Sequence, residues 1–129
     1  MAAGEGALMS VSLTTDAVRA RQKTVTRRMG WRKLKPGQRL QLCVKVMGRR
    51  AGEPLEKICA VEVVAVDRVR LDQITPAEVE REGLWDRAVA EVGPGDPEAV
   101  CRWFVEFFCA SHKGCEPGSI VTRIAWRYL

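Results

Sequence analysis

The chain has 129 residues, a formal net charge of +5 and an isoelectric point near 9.2. This length fits one domain with one small site and is too short for separate binding and catalytic domains. Charges interrupt the apolar stretches well before the length that spans a bilayer, so no transmembrane helix is expected. Residues 1–7 lack the features of a secretory signal. We therefore expect a flexible lead-in over residues 1–7, a single domain over residues 8–129, and a cytoplasmic protein with no membrane partner.

The positive charge is concentrated in one part of the chain. Residues 19–50 contain twelve lysines and arginines and no acidic residue, and much of the acid follows position 52. A positive net charge favours polyanionic partners such as RNA, although an excess of this size is also common on proteins that bind no nucleic acid. If these side chains share a face, the domain has a one-sided basic surface.

The first half of the chain alternates short strands with turns and one short helix. In chain order, the patterns predict a strand over residues 8–14, a helix from Thr15 to about Gln22, a turn at residues 35–37, a half-buried strand over residues 40–46, a loop over residues 48–54 and a buried valine-rich strand over residues 57–71. The last two strands are expected to pair in antiparallel orientation.

A helix start is clearly marked in the second half. Residues 75–78 combine an N-cap hydroxyl, a proline and a glutamate, which predicts a helix over residues 76–82 that stops at Gly83. Glu82 then lies at the C-terminal edge of this helix, where the helix dipole disfavours a carboxylate. Such a glutamate either has a cationic partner or points to water.

The patterns in the last third of the chain predict a loop, a helix and a closing strand. Residues 86–95 resemble a loop, and Asp96-Pro97 opens a helix. The apolar stripe of this helix is expected to pack in the core and consists of Val100, Trp103, Phe104, Phe107 and Phe108. The closing strand is expected to have one largely apolar face, formed by Ile120, Thr122, Ile124, Trp126 and Tyr128. Mixed strands and short helices without a regular βαβ repeat indicate an α+β fold.

Residues 20–28 combine one lysine, two threonines and three arginines, with no acidic residue among them. The charges of Arg21, Lys23, Arg27 and Arg28 suit an anion. A lysine beside threonine hydroxyls is also a base and nucleophile pair, provided that the ammonium loses its proton. The same segment therefore fits either phosphate binding or cleavage of an acyl bond.

The five cysteines are an odd number, so free thiols are expected in a reducing compartment. Cysteines in apolar runs are expected to be small core residues; these are Cys43, Cys59 and Cys101. The spacing of Cys109, His112 and Cys115 offers three zinc-type ligands without an obvious fourth. The alternative is that Cys109 packs, His112 caps a helix end and Cys115 lies in a turn. We expect no metal and no cofactor.

Several segments together resemble the ASCH domains, a branch of the PUA-like superfamily of RNA-binding folds. Residues 21–28, Arg-Gln-Lys-Thr-Val-Thr-Arg-Arg, are similar to the Gly-x-Lys-Thr-x-Thr-x-Arg signature of that family, although the glycine is missing. Residues 35–40, 71–75 and 124–129 are similar to its turn into the second strand, its strand-to-helix link and its closing strand. The resemblance implies a PUA-like α+β fold, a small mixed or antiparallel β-barrel with short surface helices.

Some small bacterial ASCH proteins remove the acetyl group from acetylcytidine with a lysine, a threonine and a glutamate. The resemblance places these roles on Lys23, Thr26 and Glu82 of this chain. An amidohydrolase also needs a group that stabilises the oxyanion, and Arg28 is the candidate. Lys23 acts as a base near neutral pH only if burial or the neighbouring arginines disfavour its charged form.

The expected partner is RNA or a modified nucleoside, and two functions remain open. The first is hydrolysis of an acyl amide on a cytidine-type base, with Trp31 or Trp85 stacking on the base. The alternative is a non-catalytic RNA-binding module, in which the basic stretch holds phosphates and the pocket recognises a base. Further predicted contacts to substrate or RNA are Arg21, Thr24, Arg27 and Arg28.

Overall fold

A computed structural model describes residues 6–129, so residues 1–5 of the predicted lead-in lie outside the described residues. The strands are β1 (Ala7–Ser10), β2 (Val25–Arg28), β3 (Arg39–Cys43), β4 (Lys57–Arg70) and β5 (Ile120–Tyr128). The helices are α1 (Thr15–Arg19), α2 (Pro76–Arg81), α3 (Trp85–Val92) and α4 (Pro97–Ser111), and a 3-10 turn, Leu71–Gln73, follows β4. No helix in this part of the chain is long and apolar enough to cross a membrane.

The five strands form one mixed sheet in the order β1-β3-β4-β5-β2. Strands β1 and β3 are parallel, and the other neighbours are antiparallel, including the predicted pairing of β3 with β4. The sheet curls into a half-barrel, and a hydrogen bond links its two edge strands. The Arg28 guanidinium on β2 donates from Nη2 to the carbonyl oxygen of Ser10 on β1, at 2.8 Å.

Two hydrophobic clusters hold the domain together. One lies among the strands and is built from Met9, Val11, Val18, Leu40, Leu42, Val61, Val63, Ile124 and Trp126. The other packs the helices against the sheet and includes Leu71, Ile74, Val79, Leu84, Ala88, Val100, Phe104, Val105, Phe108 and Val121. Strand β5 contributes to both clusters because alternate side chains of a strand point to opposite faces.

The helix predicted over residues 76–82 is confirmed as α2, and the Thr75 hydroxyl accepts a hydrogen bond from the Glu78 amide. The loop predicted over residues 86–95 is wrong, because residues 85–92 form α3. Between α3 and α4, only residues 93–96 lie outside a helix. One face of α3 is apolar enough to pack, since Ala88 is fully buried in the helix cluster.

Candidate active site

A cavity of about 150 Å³ lies where the two hydrophobic clusters meet. Its wall is formed by residues 10–14, by β2, by the end of α2 and by α4. Lys23, Thr26 and Glu82 all border this cavity, and each is almost fully buried, with at most 3% of its surface exposed. Burying a polar side chain costs free energy of folding, and buried polar side chains beside a cavity are typical of functional sites.

Lys23 lies between α1 and β2 and is fixed through its backbone. Its carbonyl oxygen accepts hydrogen bonds from the Trp126 indole nitrogen, at 3.0 Å, and from the Tyr128 hydroxyl. Its ammonium donates from Nζ to the Glu82 carbonyl oxygen at 2.7 Å and to Glu82 Oε1 at 3.1 Å. The closing strand therefore positions the lysine backbone, and the end of α2 receives its side chain.

Burial lowers the pKa of Lys23, because the charged ammonium loses its hydration. The nearby Glu82 carboxylate opposes this shift, and the positive charges of Arg28 and Arg27 add to it. The net direction is downward despite the direct contact with Glu82. A lysine in this environment gives up its proton more readily than a solvated lysine.

Gly83 makes the approach of Lys23 to the end of α2 possible. Its φ of 81° lies in the left-handed region that favours glycine. A Cβ atom at this position would lie 2.6 Å from the Cβ of Ala17 and 3.3 Å from the Cβ of Lys23. The glycine that ends α2 thus brings Glu82 within reach of the lysine.

Arg27 is held by two carboxylates. It donates from Nη1 to Glu82 Oε2 at 3.0 Å and from Nη2 to Glu78 Oε1 at 2.9 Å. Glu78 also accepts hydrogen bonds from Arg123 and Arg81. The hydrogen bonds and positive charges of Arg123 and Arg27 lower the pKa of Glu78 to about 2. Arg27 borders the cavity, but both of its terminal nitrogens are engaged by the protein.

Thr26 and Arg28 form a separate pair on β2. Arg28 donates from Nε to Thr26 Oγ1 at 3.1 Å. Because the hydroxyl oxygen accepts this bond, its own proton points elsewhere and is available to a base. Burial lowers the pKa of Arg28, but an arginine stays cationic in proteins. The cavity therefore combines a hydroxyl, an amine of lowered pKa and a fixed positive charge.

The aromatic wall of the cavity comes from α4. Phe104, Phe107, Phe108, Ser111 and His112 border it. The helical spacing of these phenylalanines predicted core positions, and the structure adds that one end of their stripe faces a cavity. A periodicity of apolar residues marks a buried face but does not distinguish packed side chains from a cavity wall.

The predicted stacking tryptophans lie elsewhere. Trp31 borders a second, more open cavity together with Arg32, Lys33, Leu34 and Gln38. Trp85 begins α3 and packs against the helix cluster.

Two further predicted contacts also lie outside the Lys23 cavity. Arg21 is exposed, and its guanidinium lies 5.5 Å from the centre of the Tyr128 ring. Thr24 accepts a hydrogen bond from Arg81 Nε at 3.1 Å.

The Cys109, His112 and Cys115 side chains do not converge as a metal site. The Cys109 thiol donates to Cys115 Sγ at 3.4 Å, whereas His112 Nδ1 lies 2.8 Å from the Phe108 carbonyl oxygen. Burial, together with the neighbouring Cys115 thiol, raises the pKa of Cys109 to about 11. Within residues 6–129, no group of three His, Cys, Asp or Glu side chains is arranged to hold a metal ion.

Comparison with solved structures identifies the fold class of the chain. No family model and no curated protein matches the chain. A crystal structure of a protein from Enterococcus faecalis that carries the family label DUF984 is similar over 96% of this chain and 79% of that one, with a TM-score of 0.57 and 11% identity. A crystal structure of an ASCH domain from Lactobacillus crispatus is similar over 90% of this chain and 70% of that one, with a TM-score of 0.52 and 15% identity.

These similarities identify the fold as α+β and PUA-like, a half-barrel sheet with short helices. Within that class the chain has the ASCH-domain fold, which confirms the fold predicted from its sequence motifs.

Proposed function

We propose that this ASCH-fold protein hydrolyses an acyl amide on a cytidine-type base. The observation that carries the proposal is the buried Lys23 amine, which lies on the same cavity as the Thr26 hydroxyl and the Arg28 guanidinium. Amide hydrolysis needs a nucleophile, a base for its proton and stabilisation of the oxyanion. The Thr26 hydroxyl, the Lys23 amine and the Arg28 guanidinium match these three requirements in turn.

The reaction proceeds in two steps, transfer of the acyl group to Thr26 and hydrolysis of the acyl-threonine. Thr26 Oγ1 attacks the carbonyl carbon while Lys23 takes the hydroxyl proton, and Arg28 stabilises the negative charge on the carbonyl oxygen. The carbon–nitrogen bond then breaks, and the Lys23 ammonium returns the proton to the departing exocyclic nitrogen. Water then attacks the acyl-threonine carbonyl carbon while Lys23 takes the water proton. The bond between that carbon and Thr26 Oγ1 breaks, the Lys23 ammonium returns the proton to Oγ1, and the carboxylic acid leaves. Glu82 holds the lysine and stabilises its ammonium form.

The size of the cavity limits what enters it. A volume of about 150 Å³ is below the ~300 Å³ at which pockets for drug-sized ligands begin. The base and its acyl group enter, and the ribose and any phosphates stay outside. A nucleoside or an unpaired RNA residue meets this requirement, whereas a base stacked in a duplex does not.

The test is release of cytidine from acetylcytidine, followed by chromatography. We expect release by the wild-type protein and by Lys35→Met, because Lys35 is exposed and lies outside the cavity. Lys23→Met should lose activity by about a thousandfold, within the range for removal of a general base. The variant Thr26→Val removes the hydroxyl at similar volume and should lose activity to a similar degree. No release by the folded wild-type protein would overturn the proposal.

RNA binding without chemistry is the second candidate, and the exposed part of the basic stretch favours it. The side chains of Arg19, Arg21, Arg32, Lys33, Lys35, Arg49 and Arg50 are exposed. Binding through phosphates weakens steeply as salt rises, because counterions are released from the nucleic acid. Turnover of an uncharged nucleoside changes little with salt. A steep loss of RNA binding together with no acetylcytidine turnover would favour the second function.

A further inference from the structure

His112 is the only histidine of the chain, and its ring is held in one orientation. It is the C-cap of α4, and its ring stacks on Phe108 with centroids 4.0 Å apart and planes inclined by 17°. Nδ1 lies 2.8 Å from the Phe108 carbonyl oxygen. A carbonyl oxygen only accepts hydrogen bonds, so Nδ1 carries a proton and donates it.

This bond determines what the other ring nitrogen offers. In a neutral imidazole with the proton on Nδ1, Nε2 is an acceptor. Nε2 makes no hydrogen bond to any other residue within residues 6–129, and His112 borders the cavity that contains Lys23.

The charged groups of the cavity are donors or are already engaged. Lys23 and Arg28 are donors, and both carboxylate oxygens of Glu82 accept bonds from Lys23 and Arg27. A ligand with a donor group can pair with Nε2, whereas a ligand that only accepts hydrogen bonds cannot. The cavity is therefore complementary to a ligand that also has a donor.

We propose that His112 is a specificity-determining residue, whose Nε2 accepts a hydrogen bond from an N–H group of a planar heterocyclic ligand. This inference rests on the proposed function, in which the ligand is an acylated cytidine base. The exocyclic amide N–H of that base is the donor that meets Nε2.

Two substitutions separate the two ring nitrogens. His112→Asn retains a donor near the position of Nδ1, which preserves the bond to the Phe108 carbonyl, but it has no group at the position of Nε2. His112→Gln places an amide near the position of Nε2. We expect kcat/KM for acetylcytidine to fall by about tenfold in His112→Asn and by less in His112→Gln, since one neutral hydrogen bond is lost.

The ligand provides the matched control. Acetylcytidine methylated on its exocyclic amide nitrogen has no N–H, so the wild-type protein should process it about tenfold less efficiently. His112→Asn should process both compounds with similar efficiency. A wild-type preference that persists unchanged in the folded His112→Asn variant would overturn the inference.

A binding measurement distinguishes failure of this inference from failure of the proposed reaction. Nitrogen-15 NMR of the untagged wild-type protein shows a single imidazole, because there is one histidine. Cytidine, which also carries an exocyclic N–H, should shift the Nε2 resonance and leave Nδ1 nearly unchanged. This result supports the inference even if acetylcytidine is not hydrolysed. Absence of an Nε2 shift at a cytidine concentration that moves the Thr26 amide signal, or absence of any binding, would overturn it.

Discussion

The basic stretch contains a buried segment, residues 23–28, and an exposed segment, residues 32–35, and the two place positive side chains in opposite environments. Lys23 and Arg27 are buried and each contacts Glu82, whereas Lys33 and Lys35 are exposed. A solvated charge interacts weakly with its surroundings, and a buried charge interacts strongly with any charge that forms nearby. The buried segment is suited to chemistry, and the exposed segment to long-range attraction of an anionic partner.

The difference arises from acidic residues far away in the sequence. Glu78 and Glu82 are more than 50 positions from Lys23 and Arg27, and α2 brings them to β2. A lysine or arginine is rarely buried without such a partner. The burial of Lys23 and Arg27 therefore depends on α2, which supplies both carboxylates.

The largest effect on stability is expected from Glu82→Gln. This change leaves Lys23 and Arg27 buried without the carboxylate between them and should lower the free energy of unfolding by about 3 kcal/mol. Glu56→Gln is the control, because the Arg19–Glu56 pair is exposed, with 51% and 60% of the two side chains accessible. Its expected effect is below about 1 kcal/mol. Equal losses for the two variants in urea denaturation would remove the distinction between the two environments.

Glu78→Gln should change the response of stability to acid. The pKa of Glu78 is lowered from its ordinary value of 4.5 to about 2, so its stabilisation is present above pH 4.5 and is lost as the pH falls towards 2. After allowance for partial exposure, the contribution is about 2 kcal/mol. The wild-type protein should lose this amount over that interval, and Glu78→Gln should be destabilised at neutral pH with a flatter profile. A variant that follows the wild-type profile would contradict the assignment.

A smaller loss is expected from Gly83→Ala. Alanine in the left-handed region costs about 1–2 kcal/mol, and its Cβ would lie 2.6 Å from that of Ala17. The change should also displace Glu82 from Lys23 and reduce turnover. Gly30→Ala is the control, because a Cβ there meets no atom within 4 Å. Thermal unfolding that is unchanged in Gly83→Ala would show that this close approach does not constrain the site.

The smallest effect on turnover is expected from Lys33→Ala combined with Lys35→Ala. Both side chains are exposed and border no part of the Lys23 cavity. Acetylcytidine turnover should stay unchanged. The plot of the logarithm of the RNA-binding constant against the logarithm of the salt concentration should become less steep by about 1–2, because each lysine that neutralises a phosphate adds roughly one to that slope. A large loss of nucleoside turnover would show that the exposed segment participates in the chemistry.

The sequence predicted much of the fold and part of the site. The long strand β4, the capped helix α2 and the ASCH fold followed from local patterns and from motif resemblance. Lys23, Thr26 and Glu82 were predicted together, and the structure brings them to one cavity. Their catalytic roles stay predictions until turnover is measured.

Other features depend on contacts that the sequence does not encode locally. The engagement of Arg27 by Glu78 and Glu82 requires the packing of α2 on β2. The aromatic wall of α4 follows the same periodicity as a core helix, so its exposure to a cavity was not visible. His112 was predicted either as a zinc-type ligand or as a helix cap, and the cap geometry leaves Nε2 as its remaining polar group.

The central claim is that burial lowers the pKa of Lys23 from the ordinary value of a lysine, and the most direct measurement is an NMR titration of all six lysines. Carbon-13 labelling at Cε reports the protonation of each amine. We predict that one signal titrates below the ordinary pKa of lysine and that this signal disappears in Lys23→Met. Six signals that titrate together in the ordinary range of lysine would contradict the claim and leave Lys23 without a route to act as a base near neutral pH.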